Sequence, residues 1–369
     1  MVSMVAIILW KRNNDMPDNL TDRLRARALA NDIDMIGITS AKPLARNQKI
    51  VDPLDTLNDA RAVVVAGFCM KEDDRIDSPP SGSPTGKYSR AYNVRAFTRL
   101  EEYYVKTVSG FLKKEGYKAV FNKNYQIPDK PAAVRAGLGG YGKNGVVVTE
   151  RFGSCVMFAT IVTNAPLDAE EFPMHEADCG ACDLCLRSCP TDAITGPFKV
   201  NRKLCITDWL WGAFVPAGLR KKQGDRLFGC GDCVRICPKN RKIEPRRSYP
   251  VLLEDVSERP ELIPLITADE AYFKRVIPSF PMRAGIEALR GNAIIALGNA
   301  ADAAAIEPLG WALDHGGPQI RSYSAWALGR IGGGKAVRLL RRAKSTEKEP
   351  GVIEEIEQAI ASGTDRPNH

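Results

Sequence analysis

A chain of 369 residues with 44% hydrophobic side chains is long enough for two or three domains with a sizeable core, which excludes a disordered or fibrous class. Ten cysteines are too sparse for a disulfide scaffold, and eight of them fall between 179 and 237, a crowding that points to metal ligation in a reducing compartment. A formal net charge of +8 permits a polyanionic partner without demanding one.

The apolar run in MVSMVAIILW is too short for a bilayer, which takes roughly 20 residues to span. KRNND follows where a signal peptide would carry its cleavage site, and no twin-arginine pair precedes it. The expected location is therefore the cytoplasm, with no membrane partner. Residues 1–19 read as an N-terminal extension, and Met16 is an alternative start to Met1, because MPDNLTDRLRARALAND gives a capped amphipathic helix from Asn19 or Thr21 onward.

Between about 20 and 170 helical and strand-like runs alternate, the pattern of an α+β or α/β domain. DMIGITS (34–40) and RAVVVAGFCM (61–70) read as strands, and RAFTRLEEYYVKTVSGFLKKEGY (95–117) reads as a long helix stopping near Gly116. EDDRIDSPPSGSPTGKYSR, with three prolines among Ser, Gly and Asp, reads as a loop without regular structure that would cover a site.

Gly137, Gly139 and Gly142 match G-x-G-x-x-G, but PAAVRA before them is helix-like and NGVVVTERFG after them is strand-like. A dinucleotide fingerprint needs the opposite order, and a P-loop needs Ser or Thr where Asn144 follows Lys143. What remains is a helix C-terminus whose glycines either admit a close neighbour or form a plain tight turn.

Residues 171–250 are turn-rich and carry the cysteines. Cys179, Cys182, Cys185 and Cys189 before Pro190 spell C-x2-C-x2-C-x3-C-P, the bacterial ferredoxin run for [4Fe–4S] ligation. Cys205, Cys230, Cys233 and Cys237 before Pro238 make a second set, so two clusters are expected. The crossed pattern of two-cluster ferredoxins assigns Cys179, Cys182, Cys185 and Cys237 to one and Cys205, Cys230, Cys233 and Cys189 to the other. The alternative is a pair of zinc sites, although zinc ribbons have no use for two x3-C-P endings. Cys69 and Cys155 sit in apolar strand-like runs and read as buried, inert thiols. Two cubanes only relay single electrons, so the preceding residues should hold a separate reaction centre.

From 283 the chain repeats itself. RGNAIIALGNA (290–300) recurs as RSYSAWALGRI (321–331), and VIEEIEQAI from 352 is a degenerate third copy, the mark of HEAT-like helical hairpins.

AGLGGYGKNGVVVTERFGSCVMFATIVTNAPL (136–167), CGACDLCLRSCPTDAI (179–194), FGCGDCVRICPKN (228–240) and the helical repeats, in that order, resemble the epoxyqueuosine reductase family, whose core is shared with corrinoid reductive dehalogenases. The resemblance covers about 20 to 245 and is matched in kind by the tail. It implies an α+β fold with a corrinoid-binding, nitroreductase-like N-terminal domain (20–170), a double-cluster ferredoxin module (171–250) and a C-terminal α-helical HEAT-like domain (260–365). The implied cofactors are two [4Fe–4S] clusters and a base-off cobalamin with no protein histidine on cobalt. The implied substrate is a tRNA, and an unidentified donor supplies the electrons.

The resemblance directs Arg90, Gly137, Gly139, Gly142, Lys143 and Asn144 toward the corrinoid, with Tyr92 and Arg95 beside Arg90. For the stretch 89–97 a solvated helix start is the alternative. The family's general-acid aspartate stands fourteen residues before the glycine matched by Gly137, and this chain has Lys123 there. Lys123 with Tyr125 resembles the proton-donating pair of the dehalogenases, and a pair of ordinary loop residues is the alternative. Asp129 is the nearest carboxylate and would otherwise N-cap the helix at PAAVRA, with Pro131 in its first turn.

Lys335, Arg338, Arg341, Arg342 and Lys344 share one helix and, with RKIEPRR (241–247), would hold tRNA phosphates or else form a solvated face. Tyr323 and Trp326 are the aromatics available there for stacking, Trp326 on a core-like stripe. Three readings follow: a tRNA reductase, a dehalogenase-like reductase of a small molecule, and an electron carrier without a corrinoid. Lys123 favours the last two.

Overall fold

Every residue of AVVVAGFC is buried, and a β-branched run covered on both faces can only be an inner strand. Ala62–Cys69 accordingly lies inside a four-stranded antiparallel sheet in the order Met35–Ser40, Ala62–Cys69, Val156–Thr163, Ala119–Phe121. Val64 stands opposite Ile38 on one side and Ile161 on the other, so the inner strands share one apolar register. The computed structural model describes residues 19–46, 49–70, 83–88, 102–122, 126–244, 259–277 and 285–364. Met16, Arg90, Tyr92, Arg95, Lys123 and Tyr125 lie outside the described residues.

The chain divides into two units. The first takes Met1–Cys69, Leu100–Gly142 and Val146–Asp178 and holds the sheet. Helix Leu20–Ala30 starts where expected, with Asn19 Oδ1 accepting the Asp22 N–H at 2.7 Å. The long helix, described from residue 102, widens into a π turn at Val105–Ser109, and its last segment, Gly110–Lys114, stops just before Gly116, whose φ of 88° only glycine adopts easily. Arg135, buried at the end of helix Asp129–Arg135, donates to Thr39 Oγ1 and to the carbonyls of Ser40, Lys42 and Pro43, with Glu171 3.9 Å away. Cys69 and Cys155 are buried thiols, as their apolar surroundings predict.

The second unit takes Met70–Arg99, Lys143–Gly145 and Cys179–His369. One expectation is corrected here. Within the proline-rich stretch, Lys87–Tyr88 is a strand, paired in parallel with Arg226–Phe228, and Tyr88 stacks on Phe228 at 5.7 Å. The Leu227 and Phe228 side chains next to it, with nothing polar to pair, draw the segment into the core. Trp209, Leu210, Leu227 and Phe228 share that core with Leu289, Ile294 and Leu297 of helix Gly285–Ala300. Buried Asn292, in the first repeat copy, donates to the Leu210 and Leu227 carbonyls at 3.0 Å each.

Helices Gly285–Ala300, Ile306–His315, Pro318–Ile331, Gly333–Thr346 and Pro350–Thr364 make up the repeats. They pack closely at glycines: a Cβ on Gly298 would stand 2.5 Å from the Trp326 ring, and one on Gly329 2.7 Å from Ala359. Trp326 packs against the core, as its stripe predicts, whereas Tyr323 is 1% exposed and offers no face for stacking. The Tyr323 hydroxyl instead accepts the Val215 N–H at 2.7 Å.

Fully buried Arg220 joins the cysteine-bearing segment to the last helix. Its Nη2 donates to Glu355 at 2.9 Å, its Nε donates to the Val215 carbonyl, and its guanidinium lies 4.8 Å from the Tyr323 ring centre and 5.6 Å from that of Trp326.

Candidate metal centre

The two cysteine runs are folded by the same local rule. A left-handed glycine, Gly180 at φ 48° and Gly231 at φ 72°, reverses the chain, and a one-turn helix follows, Leu184–Arg187 or Asp232–Arg235. Tight turns such as Cys182 N–H to the Cys179 carbonyl (3.1 Å) and Cys237 N–H to the Val234 carbonyl (3.1 Å) bring successive thiols to one side. Cys205 arrives from elsewhere, at the start of helix Ile206–Trp209. All eight thiols are half-buried.

Their charges are felt mutually. Burial first, and then Cys179, Cys237 and Cys182, push the Cys185 thiol up. Burial, then Cys230, Cys205, Cys185 and Cys189, push Cys233 up to about 12, and burial followed by Asp232 pushes Cys230 up to about 11. Burial acts upward on Cys189 too, but hydrogen bonds from Thr191, Ala193 and Ile194 hold it below the ordinary thiol value. Thiolates that disfavour one another in a half-buried place are stabilised by bound cationic iron, so the donor set fits two clusters. Among the described residues no three His, Cys, Asp or Glu side chains stand close enough to hold one metal ion. Around a cubane each thiolate holds a different iron, and the sulfurs stand further apart.

Lys143 and Asn144 brace the two loops. Lys143 Nζ donates to the Gly180 carbonyl at 2.7 Å and to that of Cys182 at 2.9 Å, and Asn144 Nδ2 donates to the Cys233 carbonyl at 3.2 Å. Asn240 adds a bond to the Val234 carbonyl at 2.6 Å, and Arg226 to Asp232 at 2.6 Å.

The glycines form a hairpin after helix Asp129–Arg135, with Gly140–Tyr141 paired to Val147–Val148. Gly137 has φ 73°, and a Cβ there would stand 2.4 Å from the Phe172 ring; one on Gly139 would stand 2.4 Å from the Val148 carbonyl oxygen. The N–H groups of Gly137, Leu138, Tyr141 and Gly142 donate to the carbonyls of Val134, Ala133, His175 and Val146. The space beside Gly137 and Gly139 and these four donors are thus used within the chain.

Asp129 is the first helical residue, with Pro128 at the cap position, so it is not the N-cap that the sequence suggests. The reason is a better partner: Oδ1 accepts the Thr160 hydroxyl at 2.9 Å and the Asn122 amide at 3.3 Å. Asn122 also donates to the Ile127 carbonyl and accepts its N–H, tying position 122 to position 127. Tyr104, fully buried, is raised by its burial first and by the Asp129 charge second.

On the repeats Lys335 pairs with Glu307, Arg342 with Asp314 and Lys344 with Glu357. Arg338 and Arg341 are exposed and unpaired among the described residues, as are Arg241 and Lys242 beyond the second cysteine run. Sequence reasoning missed Arg220, Asn292 and Asn122, whose partners lie far along the chain or in a turn without a motif. Among the described residues no helix is long and apolar enough to cross a membrane.

Residues 178–240 match a family model described as a 4Fe-4S double cluster binding domain, and residues 283–361 match one described as HEAT repeats. Over 240 residues the chain is 34% identical to a Bacillus anthracis protein named epoxyqueuosine reductase; the match spans 64% of this chain and 62% of that protein's length. With the Bacillus subtilis (strain 168) protein of the same name the identity is 30% over 359 residues, 94% of this chain and 89% of the relative. A solved structure of epoxyqueuosine reductase with an epoxyqueuosine-modified tRNA stem loop is similar at a TM-score of 0.83 and 27% identity, covering 93% of this chain and 98% of that one.

Proposed function

This chain belongs to the epoxyqueuosine reductase family, and from that premise we propose that it reduces epoxyqueuosine in tRNA, in the cytoplasm, using two [4Fe–4S] clusters and cobalamin. The observation that carries the reading is the pair of cysteine sets braced by Lys143 and Asn144. Removing an epoxide oxygen as water takes two electrons and two protons and leaves a double bond. Each cubane passes one electron at a time, so a chain with two suits that demand.

The crossed ligand sets, Cys179, Cys182, Cys185 and Cys237 against Cys205, Cys230, Cys233 and Cys189, are supported by the charges that Cys185 and Cys233 feel. Cobalamin, when bound, supplies a strongly reducing cobalt centre. Gly137, Gly139, Gly142, Lys143 and Asn144 would then serve it by rigidity, since their own bonds are made within the chain. Residues 20–170 would hold the corrinoid, 171–250 the clusters and 260–365 the RNA, with an electron donor still to be identified. We assign proton delivery to Lys123 with Tyr125. Asp129, engaged by Thr160 and Asn122, helps fix Asn122, the residue that precedes them.

A second reading, a dehalogenase-like reductase of a small molecule, is favoured by Lys123, a cation where the family has a carboxylic acid. Anaerobic reconstitution with iron, sulfide and cobalamin tests the cofactors. About eight irons and one cobalt per chain are expected. Eight irons without cobalt would leave an electron carrier.

A further inference from the structure

Helices Ile306–His315 and Gly333–Thr346 lie side by side, tied by Lys335 to Glu307 at 2.6 Å and, further along, by Arg342 to Asp314. Between these ties Gly310 lets the second helix close in, since a Cβ there would stand 3.0 Å from Leu339. Helical spacing leaves one surface position per helix between the two ion pairs. Position 311 follows Glu307 by one turn and precedes Asp314 by one, and position 338 stands likewise between Lys335 and Arg342. They hold Trp311 and Arg338.

Trp311 is 40% exposed, and among the described residues of the repeats it is the one large hydrophobic side chain that is. A single exposed apolar residue needs no explanation by itself. Two further observations set this one apart. Its ring is stacked on His315, with centroids 4.9 Å apart and planes within 17°, and His315 Nδ1 lies 2.8 Å from the Trp311 carbonyl, so the pair is already ordered. On the second helix, Arg338 and Arg341 are exposed and have no partner among the described residues, while Lys335, Arg342 and Lys344 each have an acid.

We propose that the Trp311–His315 pair is a stacking platform for an unpaired nucleobase of the RNA substrate, with Arg338 and Arg341 on the flanking phosphates. This rests on the reading of the chain as a tRNA enzyme. Every base has a π-face for an ordered ring, single-stranded loops expose bases to be stacked, and guanidinium groups match phosphate geometry. A protein partner's apolar knob would meet the charged side chains of the two ion pairs that flank position 311 instead. Glu307 and Asp314, the acids nearest the platform, are neutralised by Lys335 and Arg342, so the unbalanced charge is that of the two arginines.

The test uses the reconstituted full chain and two RNA probes, a tRNA anticodon stem-loop and a blunt duplex of equal phosphate count, with binding followed by fluorescence anisotropy across a salt series. Trp311→Ala should weaken stem-loop binding roughly 5- to 100-fold and leave duplex binding and the salt slope unchanged. Trp311→Phe should restore most of the loss, and iron content and thermal melting should stay at the wild-type level in both. Arg338→Gln with Arg341→Gln should weaken both probes and lower the salt slope by roughly 1 to 2.

Stem-loop binding by Trp311→Ala equal to wild type would overturn the platform while leaving the tRNA reading intact. No stem-loop binding by the iron-loaded wild type would overturn the tRNA reading, and the platform with it. If Trp311→Ala kept RNA binding but lost reduction by a donor protein, the surface would belong to that protein and the proposal would fail.

Discussion

The cysteine segment and the repeats, two parts of one unit, are held by opposite means. The repeats interlock by shape: Gly298 and Gly329 admit Trp326 and Ala359 so closely that a methyl group would collide. The cysteine segment is short helices and turns, and polar braces from Lys143, Asn144, Asn240 and Asn292 hold it. Regular helices bury enough apolar area to fix themselves, whereas a loop that must offer thiols to iron cannot, and relies on its braces and on the metal. The lesson is where each part should break.

The largest effect is expected at the thiols. Cys237→Ser should leave about four irons per chain, and adding Cys182→Ser should remove no more, because both belong to one crossed set. Adding Cys233→Ser instead should remove nearly all. Iron analysis and EPR of the three variants decide it, and a Cys233 double variant that retained four irons would break the crossing.

Next comes the joint between the two parts. Arg220→Leu leaves the half-buried Glu355 without its cation and should cost about 3 kcal/mol in urea unfolding of the reconstituted chain. Arg220→Leu with Glu355→Leu should recover most of that, since removing both charges leaves neither stranded. A single variant as stable as wild type would remove Arg220 from the account of how the joint is held.

The smallest effect belongs to the brace. Lys143→Ala frees two carbonyls, at Gly180 and Cys182, and should cost about 1–3 kcal/mol locally, seen as faster loss of iron to a chelator with global unfolding unchanged. An unchanged rate of iron loss would remove Lys143 from the account of how the first loop is held.

The parts legible in the sequence are those whose partners are close along the chain. Cysteines three and four apart, the helix before Gly137 and the repeated RGNAIIALGNA pattern carry their meaning locally. The braces do not: Lys143 reaches residues 37 and 39 positions away, Asn144 one 89 away and Arg220 one 135 away. Glycines at 137 and 139 signal a close neighbour, but only the fold reveals that it is Phe172 and Val148. Asp129 looks like a cap because an acid before PAAVRA usually is one, and Thr160, across on a strand, takes it instead. Tyr323 looks free to stack and is buried for a related reason, since which face of each repeat helix is covered depends on the neighbouring helix.

Single-turnover conversion of epoxyqueuosine-bearing tRNA is the decisive test of whether this chain reduces an epoxide on tRNA. The reconstituted chain, chemically reduced, is incubated with that tRNA, and the nucleosides are read by mass spectrometry. The account predicts queuosine in amounts matching the cobalt content, falling to background in Lys123→Ala with its clusters intact. Full cluster and cobalamin loading with the epoxide untouched would contradict it and point to a different substrate.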